Sequence, residues 1–112
     1  MDTSEALAAL TALAQKHRLA IFRLLVGLGP DGACPGDIAA AAGLAPATLS
    51  FHLKTLLQAG LIDAEQRGRS IVYRANFDAM NGLIGYLGDH CCGGEPARCA
   101  PAAARATARR AR

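Results

Sequence analysis

Tryptophan is absent from the 112-residue chain, and the aromatic complement is two tyrosines and three phenylalanines. A core with so few rings must be assembled from Leu, Ile, Val and Ala, which suits helices packed on helices. With 52% apolar residues there is enough for one modest core and one domain. No run of about 18 or more apolar residues occurs, which argues against a membrane-spanning helix. The opening Met1-Asp2-Thr3-Ser4-Glu5 has neither the basic stretch nor the apolar stretch of a signal peptide, so the expected compartment is the cytoplasm. A large basic excess is missing too. The net charge is +3, but Arg105, Arg109, Arg110 and Arg112 supply +4 from the tail, leaving residues 1–99 with 8 Lys+Arg against 9 Asp+Glu, or −1. Any case for a polyanionic partner must rest on where the charges stand, not on their sum.

Periodicity divides what is present into seven elements. Ser4 is placed to cap a first helix over residues 5–14, with Leu7, Leu10 and Leu13 at helical spacing. A second helix runs over 16–26 with Leu19, Phe22, Leu25 and Val26 in one stripe, and it ends in the breakers Gly27 to Gly32. A short third helix covers 35–42, with Ile38 inward and Gly43 as its stop; Pro46 opens a fourth, which runs to Ala59 before Gly60. The period then changes to alternation over 61–66 and 70–75, two strand-like runs joined by Arg67-Gly68-Arg69. Asp78 can cap a last helix over 79–90, with Met80, Leu83, Ile84 and Leu87 on one face. Residues 100–112 are Ala, Arg, Pro and Thr only, the composition of a frayed tail.

The predicted fold class is mainly α with a small β-hairpin, in the order α-α-α-α-β-β-α: a winged helix-turn-helix. In the fourth helix Leu49, Leu53, Leu56 and Leu57 form the inward stripe. The opposite face carries Ala47, Thr48, Phe51, Lys54, Thr55 and Gln58, with Ser50 and His52 on its flanks. Thr, Ser, His and Gln can reach base edges. An outward Phe51 is odd for a solvated surface but suits a thymine methyl group. Lys54, together with Arg67 and Arg69 at the hairpin tip, would contact phosphate. Taken singly, a leucine stripe is an amphipathic helix and Arg-Gly-Arg a solvated turn; their order on the chain is what points to double-stranded operator DNA.

These residues also carry a resemblance. The run Leu49-Ser50-Phe51-His52-Leu53-Lys54-Thr55-Leu56, then Ala59-Gly60-Leu61-Ile62 and a Gly-Arg wing ending in Tyr73-Arg74, resembles the arsenic-repressor (ArsR/SmtB) family of metalloregulators. So does the opening, Leu13-Ala14 and Arg18-Leu19-Ala20-Ile21-Phe22-Arg23-Leu24-Leu25, and the likeness spans about residues 5–90. It implies a transcriptional repressor, not an enzyme, and a homodimer joined through the first and last helices, with the fourth helix of each subunit in a major groove. On that reading residues 1–92 form the DNA-binding and dimerisation domain, and 93–112 a C-terminal segment. Gly82, Gly85 and Gly88 would fit close approach of a partner helix, or merely weaken the last helix.

Four cysteines occur, at 34, 91, 92 and 99. In a reducing compartment an adjacent pair with a third nearby reads as ligands or redox thiols rather than disulfides. Cys91, Cys92 and Cys99 would make a pyramidal three-sulfur site for trivalent arsenic (arsenite, or antimonite) as inducer. The chain departs from the best-known arsenic repressors, which carry Cys-x-Cys at the start of the third helix; here only Cys34 stands there, read as a bystander thiol. It resembles instead the arsenic sensors with Cys-Cys and a further Cys after the last helix. The paired His and carboxylate ligands of zinc-sensing relatives are missing from that helix, and Asp89 with His90 does not replace them. His17 reads as a core-edge residue and His90 as a surface one.

Three rivals remain: a repressor sensing oxidants through the same thiols, one sensing zinc or cadmium, and an enzyme. For the last, Cys92-x5-Arg98 matches the loop that cradles phosphate or arsenate in small phosphatases and arsenate reductases. That chemistry needs the loop between a strand and a helix, where backbone amides lower the thiol pKa. A predicted helix precedes it here.

Overall fold

On the first helix, α1 (Thr3–Leu13), alanine rather than leucine faces inward. Ala6, Ala9 and Ala12 are at most 2% exposed, whereas Leu7 is 59% and Leu10 39% exposed. The expected Leu7-Leu10-Leu13 stripe is therefore rotated out of the core, and only Leu13 keeps a partly buried place against it. Small inward side chains let α1 lie close against its neighbours, and they put the larger ones outside. The N-cap is Asp2, which accepts a 2.8 Å bond from the Glu5 amide; Ser4 lies inside the helix.

The computed structural model describes residues 1–95 together with 97 and 98; Cys99 and the expected tail over 100–112 lie outside the described residues. After α1 the chain turns into α2 (Lys16–Leu28), capped by Gln15 and held at the corner by a 2.7 Å bond from Arg18 Nε to the Ala12 carbonyl. Ile21, Phe22 and Leu25 are the buried residues of α2, and Leu19, expected among them, is exposed. Then come α3 (Pro35–Ala42) and α4 (Pro46–Gln58), each with proline in its first turn where no amide is needed. Gly43 ends α3 in the left-handed region (φ 67°), which is what lets α4 start three residues later.

Strands β1 (Ile62–Arg67) and β2 (Ser70–Ala75) pair antiparallel from Ile62–Ala75 to Arg67–Ser70. The loop between them is Gly68-Arg69, with positive φ at Gly68 only, as a type II′ hairpin turn requires. The last helix, α5 (Phe77–Gly88), is capped by Asn76 and not by Asp78, which falls in its first turn. Asn76 does three things at once. Its Oδ1 accepts from the Ala79 amide (3.1 Å), its Nδ2 donates to the Gly60 carbonyl (3.1 Å), and its amide donates to the Leu61 carbonyl (2.8 Å). One side chain thus joins the end of α4 to the start of α5. A hydroxyl contact of 2.6 Å between Thr3 and Tyr86 fastens α1 to α5.

The core is mainly aliphatic, as the low aromatic content requires: Ile21, Leu25, Ile38, Leu49, Leu53, Leu56, Leu61 and Ile62 join Phe22, Leu83 and the inward alanines. The element order is the expected α-α-α-α-β-β-α, a winged helix-turn-helix. No helix among the described residues is long and apolar enough to cross a membrane.

The wing is fastened through one short bridge. Ala33 and Tyr73 exchange amide–carbonyl bonds of 2.9 and 2.8 Å, so the segment before α3 acts as a stub of third strand. Gly32 makes this approach possible: its φ is 62°, and a Cβ there would lie 2.2 Å from the Tyr73 carbonyl oxygen. Gly32→Ala should therefore lower the unfolding free energy by about 2–5 kcal/mol, adding a left-handed conformation to an overpacked contact. Chemical denaturation checks it, as a lower midpoint at unchanged slope.

Candidate nucleic-acid interface and thiol site

The inward direction of α4 is set by Leu49, His52, Leu53 and Leu56, all buried. Ala47, Thr48, Ser50, Phe51, Lys54 and Gln58 are exposed, and Thr55 is half-buried. Phe51 is 64% exposed, an unusual place for a ring unless something covers it. Thr55 Oγ1 donates to the Phe51 carbonyl (3.2 Å), so its proton is spent within the helix.

His52 does not fit the sequence expectation. It is 7% exposed and turned into the core side of α4, with its ring 5.7 Å from that of His17 at the start of α2. A side chain enclosed in this way has no path to a base edge, so His52 is removed from the expected DNA-facing set. The error has a geometric source. Counting Leu57, which is only partly buried, into the stripe in place of His52 turns the inward direction by roughly 35° and leaves His52 outside it. His17 is half-buried, in keeping with a core-edge reading.

Burial, with Arg18 and His17 nearby, holds the His52 imidazole below its ordinary pKa, and its Nδ1 is buried without a hydrogen-bond partner. A base with a lowered folded pKa binds its proton in the unfolded chain first. Stability is therefore full above the unfolded value of about 6.5 and falls as pH drops below it, levelling off beneath the folded value. Denaturation at pH 7.5 and 5.5 should show the loss, and His52→Leu should flatten that slope; an unchanged slope in the variant would assign it to another group.

At the wing, Arg67 and Arg69 are both exposed, and Arg67 bonds Glu65 at 3.3 Å. Glu65, which drew no notice in the sequence, also pairs with Arg74, its diagonal neighbour across the hairpin. First the Arg74 guanidinium and then that of Arg67 hold the Glu65 carboxyl below the usual carboxylate range. Charges two apart on one strand face were the available signal. Arg69, at the turn, makes no such pair in the described structure.

Beyond α5 the backbone enters a short helical turn, Cys91–Gly94, with left-handed φ at His90 (57°) and Cys92 (56°), continued by Gly93 and Gly94. A left-handed non-glycine residue costs about 1–2 kcal/mol, so the turn holds its shape against a local penalty. It brings the Cys91 and Cys92 sulfurs to 3.7 Å. Two sulfurs bound at about 2.3 Å to one tetrahedral ion lie about 3.8 Å apart, so the pair has the spacing of a two-thiolate chelate. No three His, Cys, Asp or Glu gather as ligands among the described residues. His90 is exposed and 3.7 Å from Asp89, and Cys34 lies half-buried at the start of α3. Arg98, the far end of the Cys92-x5-Arg98 spacing, pairs with Glu95 at 4.0 Å, and the segment follows a helix rather than a strand.

Two features of α5 and α1 remain. Ile84 and Leu87 are 60% and 62% exposed, so the expected stripe of Met80, Leu83, Ile84 and Leu87 splits. Leu83 goes to the core and the other pair to the surface, on the helix that Thr3 fastens to α1 with its own exposed Leu7 and Leu10. Of the α5 glycines, Gly82 lies beside the chain's own Met1, while Gly85 and Gly88 face open space.

Comparison with known proteins agrees with this geometry. A helix-turn-helix domain family matches residues 13–65. The chain is 31% identical over 91 residues to the transcriptional regulator YgaV of Escherichia coli (strain K12), covering 81% of this chain and 90% of that one. It is 36% identical over 81 residues to the arsenical resistance operon repressor of Bacillus subtilis (strain 168), covering 72% and 73%. Among solved structures, a homodimeric winged helix-turn-helix DNA-binding domain from Mycobacterium bovis, a candidate ArsR-family regulator, superposes with a TM-score of 0.63 at 26% identity, over 82% of this chain and 85% of that one. With its fold, its helix order and these relatives, the chain belongs to the ArsR family of winged-helix, DNA-binding transcriptional regulators.

Proposed function

We propose that the protein is a homodimeric repressor that releases its operator when trivalent arsenic, or antimony, takes the thiolates of Cys91, Cys92 and Cys99. The observation that carries a thiol-held ion is the 3.7 Å sulfur pair seated directly after α5. The third thiolate of this reading is Cys99, which follows the pair by seven residues in the sequence. Similarity to an arsenical resistance operon repressor supports the choice of ion. When bound, the ion supplies a covalent tie between soft sulfur ligands.

The chain's own residues do the rest. Ala47, Thr48, Ser50, Phe51, Lys54 and Thr55 of α4 enter the major groove, with Arg67 and Arg69 on the flanking phosphates. Thr55 offers its methyl group and oxygen lone pairs rather than its proton. Leu7, Leu10, Ile84 and Leu87, exposed on α1 and α5, pair the two copies; the homodimeric neighbour from M. bovis supports a dimer as such. Residues 1–92 form this DNA-binding and dimerisation unit, and 93–112 the segment that delivers Cys99. Drawing that segment onto the Cys91–Cys92 turn shifts α5 at the dimer interface and misaligns the two copies of α4. A coupling of about 1–3 kcal/mol would weaken operator binding 5- to 150-fold.

The test is fluorescence anisotropy of a labelled duplex, chosen by selection from a random-sequence pool, with reduced protein. Release by micromolar arsenite and not by zinc or cadmium is expected. Release by peroxide alone would transfer the thiols to oxidant sensing. Tight binding indifferent to all of these would remove the sensing role and keep the DNA-binding one.

A further inference from the structure

We propose that Phe51 reads the C5-methyl group of a pyrimidine in the major groove, so that a 5-methylcytosine satisfies this contact as a thymine does. The inference rests on the DNA-binding reading above and assigns the chemistry recognised at one position of it.

Phe51 is a large ring left 64% exposed on a helix that contains no Asp or Glu at all. Its exposed neighbours are Ala47, Ser50 and Lys54, a small, a hydroxyl and a cationic side chain, which suits a polyanion and repels nothing on it. The ring is also steadied from beneath. It meets the buried His52 edge-on, with centroids 5.6 Å apart and planes at 67°. A supported ring loses little conformational freedom on contact, unlike a free one. Phenylalanine has no donor or acceptor, and most features of the major-groove edges are donors, acceptors or a bare ring hydrogen. The exception is the methyl group on C5 of thymine. Cytosine methylated at C5 carries the same group at the same ring position, on the same groove wall. Buried Phe51 would be repaid by that carbon whichever pyrimidine bears it, while the remaining contacts continue to tell T·A from C·G.

The experiment uses the selected operator duplex with one thymine per half-site changed in turn to uracil, or, with guanine set opposite, to cytosine or 5-methylcytosine, measured with the full chain and with Phe51→Ala. At one position, uracil should weaken wild-type binding by about fourfold per half-site, the worth of one buried methyl group. At that position 5-methylcytosine should bind about fourfold tighter per half-site than cytosine. Phe51→Ala should bind thymine and uracil duplexes equally, with an unchanged thermal melt. Should the alanine variant lose binding altogether, the wild-type cytosine and 5-methylcytosine pair still decides the matter. No uracil-sensitive position, or equal uracil penalties in wild type and Phe51→Ala, would overturn the assignment while leaving the repressor reading intact. If the wild-type chain selects no duplex from the pool, the DNA-binding reading fails, and this one with it.

Discussion

Replacing Ile84 and Leu87 together by lysine should give a folded monomer whose operator affinity is lower by about 100-fold or more. Both side chains are more than half exposed within one chain, so the charges cost the isolated subunit little. In a dimer they would face a second copy of the same apolar strip, where four unpaired ammonium groups cannot be accommodated. The affinity loss follows from linkage of two half-sites. Each α4 alone binds weakly, and joining two commonly multiplies affinity by about 10²–10⁴ without any new contact. Sedimentation equilibrium would report the mass, and anisotropy the affinity. A double variant that stays dimeric would move the interface elsewhere, and a monomer with undiminished binding would remove the need for a dimer.

Cys91→Ser with Cys92→Ser should leave operator binding by the metal-free protein within about twofold and abolish release by arsenite. The hydroxyl is somewhat smaller than the thiol, Cys91 is exposed and Cys92 half-buried outside the core, so the fold has little at stake. The response has everything at stake, because serine oxygen is a hard ligand and does not hold a thiophilic ion. The expected contrast is a 5- to 150-fold weakening in wild type against none in the variant. Weakened binding by the metal-free variant would mean that the sulfur pair shapes the DNA-binding form itself. Retained release would place the arsenite site on other thiols, Cys34 and Cys99 being those that remain.

The fold was legible because its punctuation is strong: Pro35 and Pro46 open helices, Gly43 closes one, and the change from helical to alternating period marks the wing. Which face of a helix turns inward was less so. Periodicity identifies an apolar stripe but not its destination, and α1 and α5 each carry two, one for the chain's own core and one left on the surface. Leucine carries most of the hydropathy of α1, though alanine is what the tight packing admits. A small residue leaves no hydropathy signal in proportion to its burial. At His52 an apolar count favours Leu57 in the stripe, and only the enclosure of the imidazole beside His17 shows which of the two faces inward. Of the proposed thiol site, the sequence shows the adjacent cysteines but not the distance between their sulfurs. The left-handed turn that brings Cys91 and Cys92 together leaves no mark in composition.

The Asn76 junction has a mechanical consequence. From it α5 extends 12 residues toward the cysteines, and α4 extends 13 residues back to Pro46. At about 1.5 Å per residue the two arms measure about 18 and 20 Å, so they are nearly equal. If both helices move as rigid rods about that fulcrum, a displacement of the thiol end arrives at the far end of α4 neither magnified nor diminished. Such a balance transmits but does not amplify.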